Sequence, residues 1–172
     1  MREVVGERAI VLAIHPQHAR KIYAGEKTAE LRRASPVHRI HLVFIYETAP
    51  VSAITGMMLV SEVSRASPFR TWKEFSRRLC ITEREFHDYL RGCRAATVYE
   101  VSKALRFPKE VPLVKTTRLR RPPQSYSYLD RDMTSRVLHS VSSMSIPFQT
   151  QSTLSQWVEH LSDLNFDWRG SK

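Results

Sequence analysis

The 172 residues suffice for one domain with its own core and are too few for two ordinary domains. Lys and Arg outnumber Asp and Glu by 27 to 17, and the formal net charge of +10 favours polyanionic partners such as nucleic acid, although many small basic proteins bind none. The sequence shows no apolar run near the roughly 18 residues of a membrane span, no signal peptide, and no phosphate loop, serine nucleophile elbow or paired zinc-ligand motif. We therefore expect a cytoplasmic protein without membrane contact, metal or cofactor.

The first predicted elements are a strand and a short helix. Residues 9–14 form an apolar run that ends at His15 and Pro16, which is typical of a buried strand. Pro16 suits the first turn of a helix, where its missing N–H costs little. We predict that helix over residues 17–24, with Gly25 at its C-terminal end.

The next stretch, residues 25–33, combines a turn residue with both signs of charge. In an extended chain, Thr28, Glu30 and Arg32 share one face, so that a carboxylate and a guanidinium project side by side. Lys27 either joins this rim or points to water. Such a rim suits an anionic, polar ligand. From the charges alone, an ordinary solvated strand with an exposed ion pair, worth about 0 to 1 kcal/mol, is the better explanation.

Two further strands are predicted at residues 39–46 and 53–63, separated by a break at residues 47–50. The first is apolar on both sides toward its end, which is typical of a central strand. Gly56 inside the second predicts a bulge or a close approach of other backbone. Strands joined by such short loops favour a compact barrel over a layered parallel sheet.

Two helices and a strand follow. Ser67 opens the first helix, and its aromatic residues recur at helical spacing, which favours core packing over base stacking. Thr82 and Glu85 form the capping box of the second helix, which ends at Gly92. Residues 95–105 return to strand.

A basic cluster comes after this core and consists of Lys115, Arg118, Arg120 and Arg121. Tyr126 and Tyr128 lie close behind it. A basic run beside tyrosines suits a patch that contacts a nucleic-acid backbone and stacks on bases. An interpretation that fits equally well is that the tyrosines tie this segment to the domain while the arginines remain in water.

From Asp130 onward the chain is Ser-rich and reads as irregular until residues 153–164, where an amphipathic helix is predicted. This helix would dock on the domain or on a protein partner. We accordingly divide the chain into a barrel domain at residues 1–129 and a C-terminal extension at residues 130–172.

Gly25, Lys27, Glu30 and Arg32 reproduce the G-x-K-x-x-E-x-R pattern of ASCH domains, and the chain resembles this family of the PUA-like superfamily. The flanking elements agree in order: an opening strand, a short helix before the motif, a helical insertion and a returning strand. The resemblance covers residues 9–113, about three-fifths of the chain.

The resemblance implies an α+β protein with a small, mostly antiparallel PUA-like β-barrel, short flanking helices and the C-terminal extension. Its cleft would bind RNA or a nucleotide-like ligand. Lys27 and Arg32 would contact phosphate or a base acceptor, and Glu30 would accept from an exocyclic amine or orient Arg32. Tyr46 would offer a stacking face. The full predicted ligand-binding set is Lys27, Thr28, Glu30, Arg32, Arg33 and Tyr46.

Some relatives in the superfamily are hydrolases, among them amidohydrolases of acylated cytidine and ASCH proteins with ribonuclease activity. The amidohydrolase threonine lies three residues after the lysine, where this chain has Glu30, whereas Thr28 directly follows Lys27. The nucleophile position therefore does not carry over. Our first hypothesis is an RNA-binding module, with a regulatory role. The alternative is a hydrolase of a modified nucleoside or of RNA, with Lys27 and Glu30 as candidate catalytic residues.

Overall fold

The computed structural model describes residues 8–144 together with Gln156, Trp157 and Glu159. Over these residues the elements are β1 (Arg8–Ile14), α1 (Pro16–Tyr23), β2 (Ala29–Arg32), β3 (Ile40–Glu47), β4 (Ala53–Ala66), α2 (Pro68–Leu79), α3 (Glu83–Tyr89), β5 (Ala96–Val111), α4 (Leu113–Thr117), β6 (Tyr126–Leu129) and α5 (Arg131–Ser142). The helix predicted over residues 153–164 lies mostly outside the described residues; the three that are described there are helical.

The described strands form one mixed sheet in the order β2-β5-β4-β3-β1-β6. β1 and β3 run parallel, and the other four pairs are antiparallel. The expected mostly antiparallel barrel is wrong, because the sheet stays open with β2 and β6 at its two ends and contains a parallel pair. The segment from Pro16 to Arg39, which includes α1, provides the long crossover that parallel strands require.

Both faces of the sheet are covered, which explains the near-continuous apolar runs of β1 and β3. The face that packs on Ala19 and Ile22 of α1, called the α1 face, consists mainly of Ile10, Leu12, Ile14, Val43, Ile45, Met58, Val60 and Tyr99. The opposite face, called the α5 face, packs Ala9, Val11, Leu42, Phe44, Met57 and Leu59 on α4 and α5. These two faces decide which surface residues can act together.

Helices α2 and α3 cover the end of the sheet formed by β2 and β5. Phe75, Leu79 and Phe86 are buried there, as the helical spacing predicts, and the capping box between Thr82 and Glu85 is present. Phe69 departs from this pattern, because its side chain is 76% exposed at the start of α2.

Gly56 confirms the expected bulge and close approach. The β4–β5 register shifts between Ile54 and Gly56, and a Cβ at Gly56 would lie 2.3 Å from the carbonyl oxygen of Leu105. A side chain at this position would therefore separate two paired strands.

The expectation of irregular chain from Asp130 onward is wrong. The Asp130 side chain accepts from Met133 N at 2.7 Å and caps α5, and Val137, Leu138 and Val141 are buried against the sheet. The apolar face of α5 is narrow and is interrupted by serines. Packing against the sheet therefore stabilises this helix more than the intrinsic helix propensity of its residues does. The boundary between residues 129 and 130 stays a prediction.

In the described part of the chain, no helix combines the length and apolar character needed to cross a membrane.

Candidate ligand-binding pocket

The charged motif is positioned by the turn that ends α1. Gly25 has a φ of 74°, a conformation that favours glycine, and its N–H donates to the carbonyl of Ile22. The chain then reverses into β2, where Glu30 lies opposite Tyr99 of β5. Because cross-strand partners point to the same side, Glu30 projects toward the α1 face.

Glu30 lies between two cations. Its Oε1 is 2.9 Å from Nη2 of Arg32, and its Oε2 is 3.4 Å from Nζ of Lys27. Lys27 and Glu30 are only 2% and 3% exposed, so the interpretation as a solvated strand is wrong. Charges buried this deeply persist only when they are paired and hydrogen-bonded.

Backbone carbonyls accept further hydrogen bonds from both cations. Lys27 Nζ donates to the carbonyl of Leu79, and Arg32 Nη2 donates to the carbonyl of Ala13 at 2.6 Å. Lys21 donates in the same way to the carbonyl of Cys80 at 3.1 Å, so two lysines satisfy the C-terminal end of α2. The cations at the motif are thus largely neutralised within the protein.

A pocket of about 190 Å³ opens beside this triad. It is lined by His18, Lys27, Glu30, Leu31, Arg32, Ile81, Glu85 and Tyr89. Leu31, Ile81 and Tyr89 give it an apolar and aromatic wall, and the buried triad, His18 and Glu85 form its polar side. Arg33 supports the Tyr89 wall: its Nε donates to the Tyr89 carbonyl at 2.6 Å, and its guanidinium lies 4.9 Å from the Tyr89 ring centroid.

Buried polar atoms near the triad have no hydrogen-bond partner among the described residues: Arg32 Nε, His18 Nδ1 and the hydroxyl of Tyr99. Burial lowers the pKa of His18, which is therefore uncharged at neutral pH, and burial raises the pKa of Tyr99. Unsatisfied buried groups are rare in native structures. Arg32 Nε and His18 Nδ1 belong to residues that line the pocket and are suited to bind a polar ligand.

Three predicted ligand-binding residues lie outside this pocket lining: Arg33, which contacts Tyr89, and also Thr28 and Tyr46. The Thr28 hydroxyl accepts from Arg78 Nε at 3.1 Å, and Arg78 also pairs with Glu100 at 2.7 Å. Tyr46 is 5% exposed and packs in the core of the α5 face.

The predicted basic cluster is exposed, but it lies away from the pocket. Lys115 belongs to α4, which packs on the α5 face, and Arg118 pairs with Asp132 at 3.0 Å. Arg120 and Arg121 are exposed in the following segment. The pocket lies beside α1, so these two cationic regions belong to opposite sides of the sheet.

Sequence reasoning missed five pocket residues: His18, Leu31, Ile81, Glu85 and Tyr89. The sequence did contain one indication for His18. This residue lies four positions before the buried Ile22 and next to the buried Ala19, and this helical spacing places a titratable side chain on the inward side of α1. Nothing local indicates that α3 approaches β2.

Comparison with known proteins identifies the fold's family. The ASCH domain family model matches residues 12–111, which is more than half of the chain. The chain belongs to the ASCH domain family. The resemblance carried by Gly25, Lys27, Glu30 and Arg32 is thereby confirmed.

A curated relative, named ASCH domain-containing ribonuclease, from Zymomonas mobilis is 25% identical over 142 residues, covering 80% of this ASCH chain and 95% of that protein. A crystal structure of ASCH from Zymomonas mobilis has a TM-score of 0.71 at 24% identity, covering 76% of this chain and 94% of that one, which shows a shared fold. Large ribosomal subunit protein uL22 from Ureaplasma parvum is 22% identical over 123 residues, which cover 70% of this chain but 39% of that protein.

Proposed function

We propose that this ASCH domain binds RNA and takes one unpaired base into the pocket beside Glu30. The observation that carries the proposal is the combination of apolar and aromatic walls with the unpartnered donor Arg32 Nε. Sequence-specific RNA recognition uses bases that leave the stack, lie against rings and form hydrogen bonds at their edges.

The size and charge of the pocket support a base over a phosphate. About 190 Å³ is below the roughly 300 to 1,000 Å³ typical of sites for drug-sized ligands, so the pocket suits one part of a larger molecule. Lys27 and Arg32 already pair with Glu30, and a phosphate at this position would face the Glu30 carboxylate. The net charge of +10 and the relative named ribonuclease support RNA as the polymer.

The test is to fill the pocket without removing a charge. We expect Ile81→Trp to weaken binding of single-stranded RNA at least about tenfold, because base stacking and edge contacts are worth roughly 1 to 3 kcal/mol. Ile81→Val is the matched control and should bind as the wild type does. Affinity is measured by fluorescence anisotropy, and thermal melting verifies that both variants are folded.

Competition separates the two parts of a nucleotide. Nucleosides should displace labelled RNA from the pocket, whereas inorganic phosphate at the same ionic strength should not. Unchanged affinity of Ile81→Trp, or no binding of single-stranded, duplex or structured RNA by the wild type, would refute the proposal.

A second candidate function is cleavage of the bound RNA, favoured by the relative named ribonuclease and by the uncharged imidazole of His18 in the pocket. Such an imidazole can act as a general base near neutral pH. Cleavage of labelled RNA that His18→Ala abolishes, with binding retained, would support it; no turnover by highly purified protein would exclude it. Deacylation of a nucleoside has less support, because the described pocket lining includes no Ser or Thr hydroxyl.

A further inference from the structure

Helix α2 presents a row of cations to solvent. Arg70, Lys73 and Arg77 recur at spacings of three and four residues, so they lie on one side of the helix. The opposite side holds the buried residues Thr71, Phe75 and Leu79. The three charges therefore point away from the protein core.

These cations differ from three arginines nearby in the chain, which form ion pairs. Arg78 pairs with Glu100, and Arg84 and Arg91 both pair with Asp88. In the described part of the chain, Arg70, Lys73 and Arg77 have no ion pair. A row of unpaired cations held at fixed spacing by a helix is suited to successive phosphates of a nucleic-acid strand.

An exposed aromatic ring lies at the N-terminal end of the same helix. Phe69 is 76% exposed, whereas the other aromatic side chains of α2 pack into the core with α3. A single exposed apolar side chain is common on protein surfaces. Next to unpaired cations, however, it provides the combination that single-stranded nucleic acids bind: a ring for stacking and charges for the backbone.

The position of α2 connects this face to the pocket. The helix ends at Leu79, whose carbonyl accepts from Lys27, and Arg77 lies within one turn of that end. At a rise of about 1.5 Å per residue, the side chains from Phe69 to Arg77 cover roughly 12 Å of helix. A strand with a base in the pocket can extend its neighbouring phosphates along this length.

We propose that Phe69, Arg70, Lys73 and Arg77, called the α2 face, bind the backbone of the RNA strand whose base occupies the pocket. Phe69 stacks on a base that flanks the bound one. The proposal rests on the proposed function and adds the path of the strand. It also replaces the basic cluster at Lys115 to Arg121 as the main phosphate-binding surface, since that cluster lies across the sheet.

The two basic regions provide a charge-matched test. One variant combines Arg70→Ala, Lys73→Ala and Arg77→Ala; its control combines Lys115→Ala, Arg120→Ala and Arg121→Ala. Each loses three positive charges, so a general electrostatic effect is the same in both. Both are measured against an unstructured single-stranded RNA over a series of salt concentrations.

We expect the α2 variant to bind at least about tenfold more weakly at low salt and to reduce the slope of log affinity against log salt by about 2, since each neutralised phosphate contributes about 0.7. The control should keep the wild-type slope. Phe69→Ala should lose about tenfold in affinity with an unchanged slope, because stacking does not release counterions. Equal effects of the two triple variants, a wild-type slope in the α2 variant, or equally tight binding of polyglutamate would overturn the proposal.

The Ile81→Trp variant distinguishes a failure of the α2 proposal from a failure of the proposed function. If it loses RNA affinity while the α2 variant does not, only the path along α2 is wrong. If the wild type binds no RNA, the proposed function fails, and the α2 proposal fails with it.

Discussion

Lys27 donates from its buried ammonium group to the carbonyl oxygen of Leu79, the last residue of α2. This contact joins the loop before β2 to a helix about fifty residues further along the chain. The same ammonium group lies 3.4 Å from Glu30. The motif lysine is therefore part of the folded framework as well as of the pocket wall, and its removal is a poor test of binding alone.

We expect Lys27→Ala to lower the free energy of unfolding by about 3 kcal/mol, because it leaves the Leu79 carbonyl and one oxygen of Glu30 buried without a donor. Urea denaturation measures the loss. Lys73→Ala, at an exposed position of α2, is the control and should change stability by less than about 0.5 kcal/mol. Equal stabilities of the two variants would show that Lys27 is not needed for folding.

The stability of the protein should depend on pH through His18. Burial lowers the pKa of His18 below its ordinary value of 6.5, Lys27, Lys21 and His15 lower it further, and Glu30 opposes the shift. The unfolded chain consequently takes up this proton before the folded protein does. The free energy of unfolding should fall as the pH drops below 6.5, and His18 should make no such contribution above that pH.

His18→Gln removes this titration. We expect the variant to lose less stability than the wild type between about pH 7.5 and about pH 5.5, measured by urea denaturation at each pH. His87→Gln, at an exposed position of α3, serves as the control and should follow the wild-type curve. Parallel curves for the wild type and His18→Gln would contradict the prediction.

Gly56 should tolerate no side chain. In Gly56→Ala the new Cβ would lie 2.3 Å from the Leu105 carbonyl and 2.6 Å from the Tyr23 hydroxyl, which already bonds Thr55 at 2.7 Å. We expect a loss of about 3 kcal/mol in unfolding free energy, since neither neighbour can move without breaking a hydrogen bond. Gly92→Ala is the control: among the described residues, no atom beyond its chain neighbours lies within 4 Å of a Cβ placed there, so only its positive φ costs energy, about 1 kcal/mol. A smaller loss of unfolding free energy in Gly56→Ala than in Gly92→Ala would show that the close approach of β4 and β5 does not exclude a side chain at Gly56.

Helix α5 should be required for the stability of the α5 face. Leu138→Ala removes a buried side chain of the main core, and we expect a loss of about 2 to 5 kcal/mol in a thermal or urea transition. His139→Ala, exposed on the same helix, should be nearly neutral. A fragment of residues 1–129 should expose the α5 face and aggregate. If that fragment is monomeric and as stable as the whole chain, the predicted boundary at residue 129 is a true domain boundary.

The sequence by itself determined the limits of two helices and the family resemblance, because these depend on residues close together in the chain. Pro16 and Gly25 set the limits of α1 through the fixed φ of proline and the positive φ open to glycine. Thr82 and Glu85 set the start of α3 through their reciprocal hydrogen bonds. The spacing of the charged motif carried the ASCH resemblance, because four fixed residues in eight positions can be read without knowing what surrounds them.

Only the tertiary structure decided what covers each face. Alternation along β2 puts Glu30 and Arg32 on one side but is silent about α1, the C-terminal end of α2 and α3, whose residues lie around them and turn an expected surface ion pair into a buried triad. Whether the sheet closes into a barrel, and whether β1 pairs in parallel with β3, depends on which strands distant in sequence come together. The same pairings decide how far Lys115 lies from the pocket. Such pairings are contacts between residues far apart in sequence, and the local pattern of one strand is compatible with several of them.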